Sequence, residues 1–137
     1  MVPPLGLALA STVLGRKDFT PAERENGKTS WLLGASFISE GAIPFAAADP
    51  LRVIPACMAG GVVTGAMTMA FGVTSAAPHG GIWIWPVIGG LGAFVGSILV
   101  GTVITAVLVT LLKRVGGVEK RAAETPGVPA TPQTVEA

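Results

Sequence analysis

The chain has 137 residues, of which 50% are hydrophobic and only 12% charged, with a formal net charge of +1 and a mean hydropathy of +0.67. A soluble domain carries about 25% charged residues, so this composition excludes an ordinary water-soluble fold and reads as an integral membrane protein. The balanced charge gives no reason to expect nucleic acid, and the single cysteine, Cys57, excludes an intrachain disulfide.

Residues 1–15 form the first apolar stretch. No basic residue precedes it, and Arg16 and Lys17 follow it, which is the reverse of a secretory leader. As a helix it reaches about 22 Å, against a hydrocarbon core of about 30 Å. A partial N-terminal helix is expected, either re-entrant or the later portion of an element whose first part lies outside this sequence. Residues 16–28 are a polar connection holding Arg16, Lys17, Asp18, Glu23, Arg24, Glu25 and Lys28. Within it, Thr20-Pro21-Ala22-Glu23 supplies an N-cap, a proline at the first helical position and an acid in the first turn, predicting a short surface helix over 21–28.

Residues 29–38 are apolar but too short to cross. Asp49-Pro50 opens a spanning helix over 50–72, about 34 Å long. Pro55 is expected to kink it, and Gly61 and Gly65 mark a face for close helix packing. Residues 73–85 break the pattern with Ser75, Pro78, His79, Gly80 and Gly81. The longest helix is expected over 86–112, with a second close-packing pair at Gly92 and Gly96 and a stop at Lys113 and Arg114. Residues 115–137 lack apolar bulk and read as a disordered tail. Nineteen glycines and few β-branched runs with alternating polarity favour packed helices over a barrel.

Lysine and arginine concentrate in 16–28 and 113–121, and none occurs in 73–85. The positive-inside rule therefore places both basic segments in the cytoplasm and the break outside. Two full crossings satisfy this and a third does not, so 29–48 should dip into the membrane and return. The expected fold is all-α: two full transmembrane helices, a re-entrant hairpin with Glu40-Gly41 near its tip, and the partial N-terminal helix. Non-helical backbone at membrane depth is tolerated only against protein or a water-filled cavity, the setting of a transporter's substrate site.

Between Thr29 and Leu112 the formal charges are Glu40, Asp49 and Arg52, all in one run. A charge costs roughly 2.5 kcal/mol or more at the centre of a membrane helix, which makes Glu40 the leading candidate. Its carboxylate can accept hydrogen bonds from vicinal sugar hydroxyls or take a proton from one of them. The structural alternative is an acid capping backbone N–H groups at the hairpin tip. His79 can hydrogen-bond a ligand or exchange a proton near neutrality, or can be a plain loop histidine. Asp49 and Arg52 suit either an ordinary helix start or, through Arg52, a phosphate contact. Trp31, Trp83 and Trp85 fit membrane interfaces better than sugar stacking, and Cys57 fits packing better than nucleophilic chemistry. Neither a P-loop, a metal-spaced cluster nor a nucleophile elbow occurs, so no cofactor or metal is expected.

Four segments together resemble one family. They are Met1-Val2-Pro3-Pro4-Leu5-Gly6, Ile38-Ser39-Glu40-Gly41-Ala42-Ile43-Pro44-Phe45, Asp49-Pro50-Leu51-Arg52-Val53-Ile54-Pro55 and Ala77-Pro78-His79-Gly80-Gly81. In this order they resemble the C-terminal part of the fructose-type permease, enzyme IIC, of the bacterial phosphoenolpyruvate-dependent sugar phosphotransferase system. The resemblance covers residues 1–114, the expected permease domain, and leaves 115–137 apart. Ser39 departs from the family's usual threonine but keeps a hydroxyl.

The resemblance implies a multi-pass protein of the bacterial cytoplasmic membrane, working as a homodimer. It implies a permease that carries a fructose-class sugar and presents it to a phosphocysteine on the IIB domain, itself charged through IIA and the phosphocarrier protein. It assigns sugar binding to Ser39, Glu40, Gly41 and His79, with Glu40 also as catalytic base. Cys57 lacks the IIB surroundings, so the chain is not expected to phosphorylate a sugar alone. The alternatives are a proton-coupled or passive small-solute channel using Glu40 and His79, and an inactive permease fragment.

Overall fold

The computed structural model describes residues 1–77 and 81–123, with side chains described through Val115. His79 and the last part of the expected tail lie outside the described residues.

Helix α1 (Val2–Leu9) opens with prolines in its first turn, where their missing N–H groups cost nothing. It continues as a wider turn over Ala10–Leu14, closed by Gly15 N–H donating to the Ala10 carbonyl at 2.8 Å. Ser11 Oγ donates to Leu7 O at 2.8 Å and Thr12 Oγ1 to Ala8 O at 2.6 Å, which serves carbonyls where the ladder changes register.

Helix α2 (Pro21–Ala35) starts at the expected cap: Glu23 N–H donates to Thr20 Oγ1 and Thr20 N–H to Glu23 Oε2 at 2.8 Å. It is one continuous helix where the sequence suggested a polar helix followed by an apolar segment. The change of polarity after Lys28 carries no change of helix propensity, so the ladder runs on.

The chain reverses at 36–38. Ile38 N–H donates to Leu33 O at 2.9 Å and Phe37 N–H to Gly34 O at 3.3 Å, with Phe37 at φ 65°. This is a Schellman end with phenylalanine in the left-handed position that glycine normally takes. The chain then returns through a 3-10 turn, Ser39–Ala42, and helix α3, Ile43–Ala48. Ser30 Oγ ties the returning segment to α2 by donating to Gly41 O at 2.9 Å.

Helices α4 (Pro50–Ala70) and α5 (Leu91–Ala123) pack antiparallel along most of α4. The 21 residues of α4 and the 25 of the apolar part of α5, Leu91–Val115, are long and apolar enough to cross a membrane. At 1.5 Å per residue they reach about 32 and 38 Å. Pro55 lies inside α4, and the helix continues through it.

The α4–α5 contact does not use the glycines singled out above. Gly61, Gly65, Gly92 and Gly96 would each carry a Cβ into open space. Gly60 and Gly101 make the contact instead: a Cβ on Gly60 would lie 2.7 Å from Gly101 O, and one on Gly101 would lie 2.8 Å from Gly60 O. Thr64 bridges the helices, donating to Gly60 O at 2.8 Å and reaching Ser97 O at 3.3 Å. Thr105 Oγ1 donates to Gly101 O at 2.9 Å, and its side chain fills the space left by both Gly60 and Gly6 of α1. In apolar surroundings such small-residue seams are what bring helices together.

Helix α1 sits between α2 and α5, with Leu5 against Gly34 and Ser11 against Gly27. The core gathers Leu7, Phe19, Phe45, Val53, Ala106 and Val109. Between α4 and α5, β1 (Thr74–Ser75) pairs antiparallel with β2 (Ile88–Gly89), and a 3-10 segment covers Gly81–Val87. Gly81, at φ +64°, rests on the end of α2: a Cβ there would lie 2.7 Å from Ser36 C. Helix α5 consequently begins at Leu91 and not at Pro86. Lys113 and Arg114 do not stop it, because both are good helix formers; it continues to Ala123 and takes in the first residues of the expected tail.

Candidate functional site

The segment 39–52 takes its position from the two ends of the α2–α3 hairpin. At one end Glu23 receives Lys113 Nζ in a buried ion pair. Lys113 also lies 4.2 Å above the Phe19 ring, and Phe19 meets Phe45 edge-on at 6.2 Å. Arg114 Nε donates to Asp18 Oδ2 at 3.0 Å beside them. The hairpin therefore leaves from and returns to the Lys113 end of the molecule. At its far end Phe37 stacks on Phe94 with ring centres 6.5 Å apart and planes within 9°.

Glu40 stands in the first turn of the returning 3-10 segment. Ser39 and Glu40 are exposed, and Gly41 is buried against α2. A Cβ on Gly41 would lie 3.2 Å from Ser30 Oγ and 3.3 Å from Leu33 Cβ. The glycine thus fixes the backbone that carries the acid, while the carboxylate remains open to a partner. The reversal itself falls at 36–38, just before the Glu40-Gly41 pair that the sequence placed near the tip.

Asp49 occupies the N-cap position of α4 but makes no cap bond with its side chain. Its Oδ2 instead accepts from Arg52 Nη1 at 2.8 Å, with both side chains largely covered. The structure thus pairs Asp49 with Arg52 and does not bring either to Glu40. Trp83 is 82% exposed, as an interface residue would be, and Trp31 Nε1 donates to Thr12 Oγ1 at 3.2 Å. Cys57 lines an apolar cavity of about 320 Å³ with Pro3, Ala42, Ile43, Val53 and Met58, which suits packing.

A second cavity, of about 270 Å³, lies beside the reversal. Its walls include Phe37, Thr68, Thr74, Ser75, Ile88 and Phe94, and Glu40 is not among them. Thr68 Oγ1 donates within its own helix to Thr64 O at 3.0 Å and Gly65 O at 2.9 Å, which leaves it an acceptor for any guest. Sequence reading missed this group. Phe37 and Phe94 meet only through the tertiary fold, and the positive φ of Phe37 has no glycine or asparagine to signal it. Among the described residues no group of three or more His, Cys, Asp or Glu side chains is placed to hold a metal.

Two helices long and apolar enough to cross a membrane, a close-packed glycine seam and an exposed acid on a short returning turn fit a helical membrane protein. Sequence comparison says of which kind. The chain matches the C-terminal part of fructose-specific enzyme IIC components of the sugar phosphotransferase system. It is 50% identical over 82% of its length to the "PTS system fructose-specific EIIC component" of Haloferax volcanii. It is 48% identical over 83% of its length to the "PTS system fructose-specific EIIABC component" of Bacillus subtilis. It is 47% identical, again over 83%, to the "Fructose permease IIC component" of Bacillus amyloliquefaciens. The chain spans 30%, 18% and 37% of those three relatives. No protein-family profile matches it, and no solved structure matches it.

Proposed function

We propose that this chain forms the sugar-contacting C-terminal part of a fructose-class phosphotransferase permease in a multi-pass protein of the cytoplasmic membrane. The observation that carries the proposal is identity of about 50% over four-fifths of the chain to proteins named for fructose-specific IIC. The α2–α3 segment serves as a re-entrant hairpin. Its departure from and return to the Lys113 end support this, because Lys113 and Arg114 belong at the cytoplasmic face.

In this reading Glu40 accepts hydrogen bonds from sugar hydroxyls, with Ser39 and the Gly41 backbone beside it and His79 as a further contact. The carboxylate also takes the proton of the hydroxyl that attacks the phosphoryl donor, so the hydroxyl's oxygen gains nucleophilicity as the new P–O bond forms and the donor's S–P bond breaks, leaving the cysteine as a thiolate. The donor is the IIB phosphocysteine, recharged through IIA and the phosphocarrier protein. A relative named EIIABC is consistent with IIA and IIB working next to this membrane part.

The test uses a full-length permease carrying the same Ser39-Glu40-Gly41 motif. Glu40→Gln keeps the shape and removes the charge. Uptake and phosphorylation of fructose should both fall by about a hundredfold or more, the scale of a lost acid–base catalyst. Normal rates for both would remove Glu40 from the mechanism.

A further inference from the structure

The turn between α1 and α2 builds a polar cavity that the sugar reading does not use. It holds about 460 Å³ and is lined by Val13, Leu14, Arg16, Lys17, Asp18 and Arg114. Arg16 and Lys17 are exposed, and Asp18 is the single acid in the wall. Asp18 takes one donor of Arg114, the Nε hydrogen, at 3.0 Å. Among the described residues neither terminal nitrogen of that guanidinium has a partner, and the two can form the fork that matches a phosphate. Lys113 and Glu23, beside Arg114 and the α2 cap, are bound to each other. Three cations against one acid leave the cavity with an excess of two positive charges.

Its other wall is apolar. Val13 is 63% exposed and Leu14 45% exposed at the end of an apolar helix, directly before Arg16 and Lys17. Acyl chains meet phosphates at the same kind of boundary. Basic residues just past a helix end also serve the helix dipole, and that would account for Arg16 and Lys17. It does not account for Arg114, which lies well inside α5, a helix that runs on to Ala123.

We propose that this cavity is a binding site for the headgroup of an anionic phospholipid, its phosphate held by Arg16, Lys17 and Arg114 and its acyl chain lying along Val13 and Leu14. The excess of two charges suits a diphosphatidyl headgroup best and a single phosphodiester next. Bound lipid fastens the α1–α2 turn to α5 at Arg114, where Asp18 and Arg114 already meet.

The full chain in detergent, titrated with phosphatidylglycerol, cardiolipin or phosphatidylcholine and read by native mass spectrometry, tests this. The two anionic lipids should remain bound and phosphatidylcholine should not. Arg16→Gln with Lys17→Gln should weaken cardiolipin by about 30-fold, near fivefold for each basic residue at a membrane surface. Lys28→Gln, an exposed lysine outside the cavity and paired with Glu25, should change binding by less than about threefold. Equal retention of phosphatidylcholine, an unchanged double variant, or an equal loss in Lys28→Gln would each overturn the site. Displacement of the lipid by inorganic phosphate or a sugar phosphate would assign the cavity to a free phosphate ester instead. The readout is binding and not transport, so it stands or falls separately from the sugar reading.

Discussion

Removing one partner of the Glu23–Lys113 pair measures what joins the start of α2 to α5. The two side chains keep only 8% and 9% of their surface exposed. Loss of one member of such a pair leaves a buried charge without its counterion, at a cost of about 3–5 kcal/mol. Lys113→Met belongs at the lower end, because Glu23 Oε2 keeps its bond from Thr20 N–H at 2.8 Å. The loss of the cation above Phe19 adds about 0.5–1 kcal/mol. Glu23→Gln preserves the shape of the cap but strands the ammonium, again at about 3 kcal/mol. The double variant carries neither charge and should lose only about 1–2 kcal/mol, the scale of the missing hydrogen bond and contact. Equilibrium unfolding in mixed micelles, followed by tryptophan fluorescence in all four proteins, gives the coupling directly. Single costs below about 1 kcal/mol that add to within about 0.5 kcal/mol would refute the claim that this pair is buried and interdependent.

Two further substitutions test the packing. Gly101→Ala should destabilise by about 1–3 kcal/mol, because the new methyl meets the Gly60 carbonyl and the Thr64 side chain. Gly61→Ala, one position along α4 from Gly60, meets nothing and should be neutral or stabilising by up to about 1 kcal/mol in the same unfolding assay. Equal effects at both sites would contradict the assigned helix faces. Phe94→Ala should cost about 0.5–1.5 kcal/mol for the lost ring stack, over and above lost burial. Phe37→Gly loses the same stack but relieves the left-handed backbone, so it should cost measurably less than Phe94→Ala; the reverse order would argue against strain at Phe37.

What the sequence made legible was local or set by length. Thr20 and Glu23 cap α2 through groups three residues apart, so the motif needed no tertiary partner. Helix α4 was visible because an apolar run of that length has few other fates. The α4–α5 seam was not legible because four-residue spacing says that two glycines share a face, not which neighbour the face meets. A better signal was present: Gly60 with Thr64 and Gly101 with Thr105 repeat the same small-residue spacing on both helices, each threonine bonded back to its glycine. The stack of Phe37 on Phe94 had no sequence signal, since it joins the two ends of unrelated segments. Glu40 was conspicuous for its charge alone, and its backing by Gly41 and Ser30 came only from the fold.

The two ends of the α2–α3 hairpin are held unequally. Its base is clamped by a cap, an ion pair and a cation over a ring, while its tip rests on one stacked pair, the Gly81 backbone and the seat of Gly34 on Leu5. Such an arrangement has the mechanics of a lever with a fixed fulcrum and a rest at its far end. Gly41 is tied level with Ser30, so Glu40 stands roughly 14 Å along the arm at 1.5 Å per residue, and a tilt of about 10° carries its carboxylate about 2.4 Å. That arc is nearly the length of a hydrogen bond. In the proposed sugar-binding reading, a tilt of that size separates a carboxylate that meets a sugar hydroxyl from one that falls short of it.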